Sequence, residues 1–180
     1  LGLMDSKIPQ FLRKPELFDY MPHKTLIIFG KGPSALKCTR EIVDQYEDIA
    51  ICNYPVLNDF FHNLIHGREI QYHFANCGTF DKRYTNDINK KYQIKGIYNV
   101  NFKTQQKYQQ YLGEEGKSLF KGHIHETLME KFKKYDLDPS TGIKALQYCL
   151  DLKKYWKILL VGFDNFQQGQ QCYYYSPSEY

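Results

Sequence analysis

Short apolar runs separated by polar turns recur along the chain. Three of them, Lys24–Phe29, Asp48–Asn53 and Gln71–Ala75, are typical of strands that are buried on both faces. Between these runs the apolar spacing predicts two helices, from Ser34 to about Tyr46 and from Leu57 to His66. The succession of strand, helix and strand indicates an α/β fold with a mostly parallel sheet flanked by helices.

The second half of the chain is less regular. Residues 81–122 are rich in Lys, Asn, Gln and Tyr and predict an excursion or lid beside the sheet, with a strand at Gly96–Val100 and a weak helix at Thr104–Leu112. Helical spacing returns at Ile124–Tyr135 and again after Pro139, and the last helix leads into a short apolar strand. The apolar positions predicted to face the core are Leu36, Ile42, Val43 and Tyr46 in the first helix and Ile143, Leu146, Cys149 and Leu150 in the last.

Composition and charge limit the kinds of partner. The chain has 180 residues, 42% hydrophobic and 24% charged, which suits one domain spanning 1–180 with a substantial core. Its net charge of +4 is spread along the chain, which argues against a nucleic-acid surface. The charge suits a small anionic ligand, and it is compatible with peripheral association with an acidic membrane surface. The sequence predicts neither a membrane-spanning helix nor a signal peptide.

The five cysteines form no CxxC pair and no cluster with metal-ligand spacing. They are Cys38, Cys52, Cys77, Cys149 and Cys172. We expect buried free thiols, which favour a reducing compartment.

Two turns carry the candidate binding chemistry. Gly30–Ser34 follows the first strand, and Pro139–Gly142 opens a later helix. Ligands of open parallel sheets bind at the carboxyl ends of the strands, where helix N-termini offer free N–H groups to anions. Each turn by itself is equally consistent with an ordinary capped strand-to-helix connection.

Asn53 and Asn76 both stand at the ends of predicted strands. Their amides can recognise base edges and sugar hydroxyls without adding charge. Together with the two turns they predict a nucleotide-linked ligand. The third glycine of a dinucleotide fingerprint is missing after Gly32, which disfavours an NAD-dependent oxidoreductase.

Four short motifs resemble the sialyltransferases. Phe29-Gly-Lys-Gly-Pro-Ser34 is similar to the Gly-Asn-Gly-Pro-Ser turn of the bacterial lipooligosaccharide sialyltransferases, glycosyltransferase family 42. Cys52-Asn53 and Phe74-Ala-Asn76 are similar to that family's Cys-Asn and Phe-Tyr-Asn. Pro139-Ser-Thr-Gly142, with its helix and Val161-Gly-Phe163, resembles the small sialyl motif of the eukaryotic enzymes. The ordered series covers roughly residues 24–175.

The resemblance implies a Rossmann-like, variant GT-A nucleotide-binding domain. Such a domain transfers sialic acid from CMP-sialic acid to a glycan hydroxyl with inversion, and it uses no metal and no cofactor besides the donor. By this likeness the CMP site comprises Gly30, Lys31, Gly32, Ser34, Asn53 and Asn76. The donor's phosphate, carboxylate or sugar would contact Ser140, Thr141 and Gly142. Gly162 and Asp164 would shape the exit turn, and Phe166 and Tyr173 would lie beside the leaving phosphate.

The resemblance also implies a catalytic His beyond the last strand, and this chain ends at Tyr180 without one. Three alternatives stay open: a fragment, a different base, or a nucleotide- or sugar-binding domain without activity. His123 and His125 are the candidate bases within the chain. We expect a cytoplasmic or membrane-peripheral location in a bacterium and the Golgi lumen in a eukaryote, and an oligomer is compatible with the sequence.

Overall fold

The structure is a computed structural model that describes residues 21–53, 59–65, 67–76, 92–100, 114, 116–136 and 139–164. Its centre is a six-stranded sheet in which every strand pairing is parallel. The strands are β1 (Lys24–Phe29), β2 (Asp48–Cys52), β3 (Tyr72–Ala75), β4 (Ile97–Asn99), β5 (Phe120–His123) and β6 (Tyr155–Val161). The predicted parallel α/β fold is therefore confirmed.

In the strand order β5-β4-β3-β2-β1-β6, the side on which new strands are added changes once. From β1 to β5 each new strand is added on the same side, and β6 then returns to the other side of β1. All carboxyl ends lie along one edge because the strands are parallel. The crevice between β1 and β6 at that edge is the topological switch point, where open α/β sheets bind ligands.

Helices cover the two faces of the sheet. A 3-10 helix (Pro33–Lys37), α1 (Arg40–Val43) and α2 (Asp59–Ile65) contribute to a core with Ile27, Phe29 and Ile51. On the opposite face, α4 (Thr141–Asp151) covers Leu26, Ile28 and Phe74, and α3 (His125–Lys133) packs against α4. No helix in the described part of the chain is long and apolar enough to cross a bilayer.

The helix predicted from Ser34 to Tyr46 is wrong as a continuous element. Cys38 and Thr39 have extended backbone between the 3-10 helix and α1. Thr39 starts α1 as its N-cap, a position that suits a short β-branched hydroxyl residue and not a helix interior. Consequently Leu36 is 54% exposed, whereas Val43 and Tyr46 are buried as expected.

The predicted buried face of α4 is rotated in the structure. Ile143 and Leu150 are 41% and 52% exposed, whereas Cys149 is buried and Leu146 packs against the core as expected. Lys144 and Ala145, which were not predicted, are buried beside them. Lys144 can be buried because its ammonium donates to the carbonyl oxygen of Val100, 3.3 Å away, while its methylenes replace an apolar side chain.

Part of the predicted excursion at 81–122 belongs to the sheet. The strand expected at Gly96–Val100 is β4, and β5 is a further strand that the sequence pattern did not predict. The helix expected at Thr104–Leu112 lies outside the described residues. The next predicted helix is α3, where Leu128 is buried as expected and Tyr135 lies beyond the helix and is exposed.

Three cysteines fall within the described part, Cys38, Cys52 and Cys149, and all are buried free thiols as predicted. Cys77 and Cys172 lie outside it.

Candidate functional site at the carboxyl edge of the sheet

The glycine turn after β1 is bound directly to the exit of β6. The Gly30 N–H donates to the Val161 carbonyl oxygen (2.7 Å), and the Gly32 N–H donates to that of Gly162 (2.8 Å). Gly162 has φ +71°, which favours glycine, and a Cβ there would lie 3.0 Å from the backbone of Gly30. The glycines of the turn after β1 and the glycine at the exit of β6 are therefore required, because the two backbones approach each other closely.

Asp164 directs its carboxylate into the same turn. Its Oδ2 accepts hydrogen bonds from the backbone N–H (3.1 Å) and the hydroxyl (2.8 Å) of Ser34. A Cβ on Gly32 would overlap that oxygen. The carboxylate thus occupies the N-terminal end of the 3-10 helix, where an anion from a ligand would otherwise be attracted.

Phe163 links these turns to the start of α4. A Cβ at Gly142 would lie 2.5 Å from Cε1 of Phe163, and one at Gly30 would lie 3.2 Å from its Cδ2. Ser140 is the N-cap of α4, but its side chain makes no capping hydrogen bond. Thr141 is the first residue of α4. The two sequence motifs therefore meet at the exit of β6.

Asn53 follows β2 in the left-handed region, with φ +60°. Its N–H donates to the Phe74 carbonyl oxygen (2.7 Å), and its Oδ1 accepts from the Asn76 N–H (3.2 Å). Because Oδ1 must be the acceptor of that bond, the amide orientation is fixed. Nδ2 of Asn53 donates to no residue in the described part of the chain. The oxygen of the Asn53 side chain is thus held by a hydrogen bond, and the two N–H groups of its Nδ2 can donate to a ligand.

His73, on β3, contacts Asn53 and is 0% exposed. Its Nε2–H donates to the carbonyl oxygen of Asn53, 2.5 Å away. Burial lowers the pKa of His73 to about 4, against a raising contribution from that hydrogen bond, and nearby Lys31 lowers it further. The ring is therefore neutral at physiological pH and donates through Nε2.

Lys31 is half-buried, and its charge acts on Cys52 of β2 and His73 of β3. Burial raises the pKa of the Cys52 thiol to about 12, and the ammonium of Lys31 opposes that rise. The same ammonium disfavours a proton on His73. The cation therefore lies near the strand ends that carry Asn53 and Asn76.

Further polar groups follow β4 and β5 along the same edge. Asn99 ends β4 and is 1% exposed, and Lys144 of α4 is 7% exposed. His125 opens α3, and the Val100 carbonyl oxygen lies 3.2 Å from its Nδ1. His123 ends β5, and its side chain is outside the described set.

The sequence interpretation missed Asn99, Lys144 and His73. Asn99 carried the same signal as Asn53 and Asn76, a polar residue where an apolar run stops. Lys144 and His73 carried no such signal, since a Lys in an amphipathic helix is ordinarily solvated and a lone His in a strand is ordinarily structural. Phe166 and Tyr173 lie outside the described residues. Among the residues that are described, no group of three or more His, Cys, Asp or Glu side chains could hold a metal ion.

No protein-family model and no curated protein matches this sequence. The solved structures that share the fold include two sialyltransferase complexes. The sialyltransferase CstII from Campylobacter jejuni, in complex with the substrate analogue cytidine-5'-monophosphate, matches with a TM-score of 0.57 and 19% identity, over 85% of this chain and 66% of that chain. The sialyltransferase CST-II in complex with a trisaccharide acceptor and CMP matches with a TM-score of 0.56 and 18% identity, over 82% and 68%. This chain therefore spans about two thirds of their length, and the predicted sialyltransferase-like fold is confirmed.

Proposed function

We propose that this chain binds CMP-sialic acid and transfers its sialic acid to a hydroxyl of a glycan acceptor. Two observations support the proposal. The fold is shared with sialyltransferases whose structures hold CMP. Those residues predicted to contact the donor that the structure describes follow strands β1, β2, β3 and β6 or open α4, and the first three strands and β6 end at the carboxyl edge that contains the β1–β6 switch point.

The observation that carries the proposal is the geometry of Asn53. An amide whose oxygen is held by the Asn76 N–H and whose Nδ2 hydrogens remain available presents fixed donors. Cytosine offers O2 and N3 as adjacent acceptors, and ribose offers hydroxyl oxygens. The corner at Asn53 therefore suits the neutral part of a cytidine nucleotide.

We place the anionic part of the donor at the N-terminus of α4 and not in the glycine turn. The Asp164 carboxylate fills the glycine turn and would repel a phosphate there. The N-terminus of α4, with Ser140 as N-cap and Lys144 in its first turns, supplies N–H dipoles and positive charge. These groups, with Lys31, can stabilise a departing phosphate without a metal ion.

In the proposed reaction an acceptor hydroxyl oxygen attacks the anomeric carbon as the bond from that carbon to the phosphate oxygen breaks. CMP leaves, and configuration inverts. We assign the role of base to His125. His125 opens α3 with its Nδ1 3.2 Å from the Val100 carbonyl oxygen, and in the proposed step its ring accepts the hydroxyl proton.

The binding test is calorimetric titration of the protein with CMP, with NADH as a negative control, in the wild type and in Asn53→Gly. Glycine accepts φ +60° without strain, so this variant removes the amide and keeps the backbone. We expect CMP binding weakened about tenfold or more, because ligand hydrogen bonds are lost. No cytidine nucleotide binding by the wild type would overturn the proposal.

The activity test is release of CMP from CMP-sialic acid, with and without a glycan acceptor. We expect turnover in the presence of a chelator, and loss of transfer but not of CMP binding in His125→Gln. Binding of CMP without any turnover would identify the alternative, a binding domain that lacks the chemistry. Membrane association and oligomerisation stay predictions.

A further inference from the structure

We propose that His73 is a positioning residue for the proposed nucleotide site at Asn53 and Asn76. Its role is to hold the peptide of Asn53 in the orientation that aims the Asn53 amide at the ligand. This inference rests on the proposed function for its ligand, but its geometric part can be tested without one.

Three hydrogen bonds fix Asn53, and each restrains a different part of the residue. The N–H is held by Phe74, the side-chain Oδ1 by the Asn76 N–H, and the carbonyl oxygen by Nε2 of His73. Of these three partner groups, only Nε2 of His73 belongs to a side chain. Asn53 has a left-handed backbone, which Asn tolerates better than other non-glycine residues, and the three hydrogen bonds hold the residue in that conformation.

The complete burial of His73 on a central strand has a cost in free energy. A fully buried imidazole must be neutral and must satisfy its ring nitrogens, which an apolar residue on a central strand would avoid. His73 pairs in register with Ile51, two positions before Asn53, so its ring reaches forward along the sheet to the carboxyl edge. A polar side chain thus replaces an apolar one at a site where it fixes the backbone next to the ligand.

The charges around His73 keep it in the donating form. Lys31, the charged group that acts on the ring within the described part of the chain, opposes protonation of the imidazole. A neutral Nε2–H tautomer makes CMP binding independent of His73 titration between pH 5 and 8.

The test compares His73→Phe, which removes the donor, with His73→Gln, whose side-chain N–H can replace it. Tyr72→Phe is the matched control, because it removes a buried hydroxyl from the same strand at the other end of the sheet. We expect His73→Phe to weaken CMP binding about tenfold, His73→Gln to recover part of that loss, and Tyr72→Phe to lower the melting temperature without changing the dissociation constant.

Hydrogen exchange of the Asn76 N–H supplies a readout that needs no ligand. This amide should exchange faster in His73→Phe than in Tyr72→Phe or the wild type, because its acceptor Oδ1 is no longer held in place. Unchanged exchange together with wild-type CMP affinity in His73→Phe would overturn the inference. If His73→Phe does not fold, His73→Leu, which also lacks the donor, decides by the same two measurements. If the wild type binds no cytidine nucleotide, the proposed function fails, and the exchange rates still decide the role of His73.

Discussion

At the residue scale, the contact between Gly32 and Asp164 determines the shape of the candidate site. The Asp164 carboxylate fits against the glycine turn only because position 32 has no Cβ. Ser34 and Asp164 are 130 positions apart in sequence, yet two hydrogen bonds join them. The turn and the β6 exit are consequently one structural unit.

We predict that Gly32→Ala destabilises the protein by about 2 kcal/mol through overpacking against Asp164 and Gly162. In an Asp164→Ala background the added cost should fall by about 1 kcal/mol, since one of the two clashes is removed. Denaturant unfolding of the four proteins of this double-mutant cycle measures the coupling.

Gly67→Ala is the control for Gly32→Ala. Gly67 has φ +75°, and among the described residues no other atom lies within 4 Å of the point that a Cβ would occupy, so alanine there adds backbone strain without a clash against them. Additive effects of Gly32→Ala and Asp164→Ala would show that the carboxylate does not occupy the turn.

Single residues differ in how far the sequence predicts them. Asn53 and Asn76 could be selected because a polar residue that ends an apolar run in a parallel sheet must lie at the carboxyl edge. Their mutual hydrogen bond, and the bond from His73, depend on strand register. The engagement of Ser34 by Asp164 depends on a long-range contact. Neither register nor long-range pairing is encoded in local periodicity.

At the element scale, hydrophobic runs predicted the buried strands well because these strands are apolar on both faces. The helices were predicted less well, since Thr39 interrupts the first one and α4 buries a lysine. Short β5, with the sequence Phe-Lys-Gly-His, has no apolar run by which to identify it. Local pattern therefore specified the sheet better than its covering helices.

The buried lysine of α4 leads to a prediction for that helix. Lys144→Met keeps the methylene packing and removes the ammonium next to the N-terminal turns. If α4 attracts the phosphate, CMP binding should weaken about tenfold while cytidine binding changes little. Calorimetric titration with both ligands measures the ratio.

Lys133→Met, on the exposed surface of α3, is the matched control for loss of one positive charge. Equal weakening of CMP and cytidine in Lys144→Met would place the anionic subsite elsewhere.

At the scale of the whole molecule, the sheet has a polar network at each end. At the amino end Asp48 is 3% exposed and accepts from the Tyr155 hydroxyl (2.6 Å), and the ammonium groups of Lys24 and Lys154 lie within 3.3 Å of its carboxylate. Asp48 begins β2 and Asn53 follows its end, about 16 Å away at the usual rise per residue. The amino-end network therefore stabilises the fold without contacting the candidate site.

The network makes stability depend on pH in a defined direction. Burial alone raises the pKa of Asp48, but hydrogen bonds from Tyr155 and Lys154 outweigh it and hold that pKa below its ordinary value. A lowered folded pKa means that the stabilisation is present above the unfolded pKa of about 3.9 and is lost as pH falls through the folded value.

We predict that Asp48→Asn lowers the free energy of unfolding by about 3 kcal/mol at pH 7, because two ammonium groups lose their partner. The difference from the wild type should start to shrink as pH falls below about 4, where the carboxyl of the unfolded wild type takes up a proton, and should be lost once pH has fallen through the lower folded pKa, where the folded carboxyl is itself protonated. Denaturant unfolding between acidic and neutral pH measures this difference. A difference that stays constant with pH, or an altered CMP affinity in this variant, would contradict the separation of the two ends.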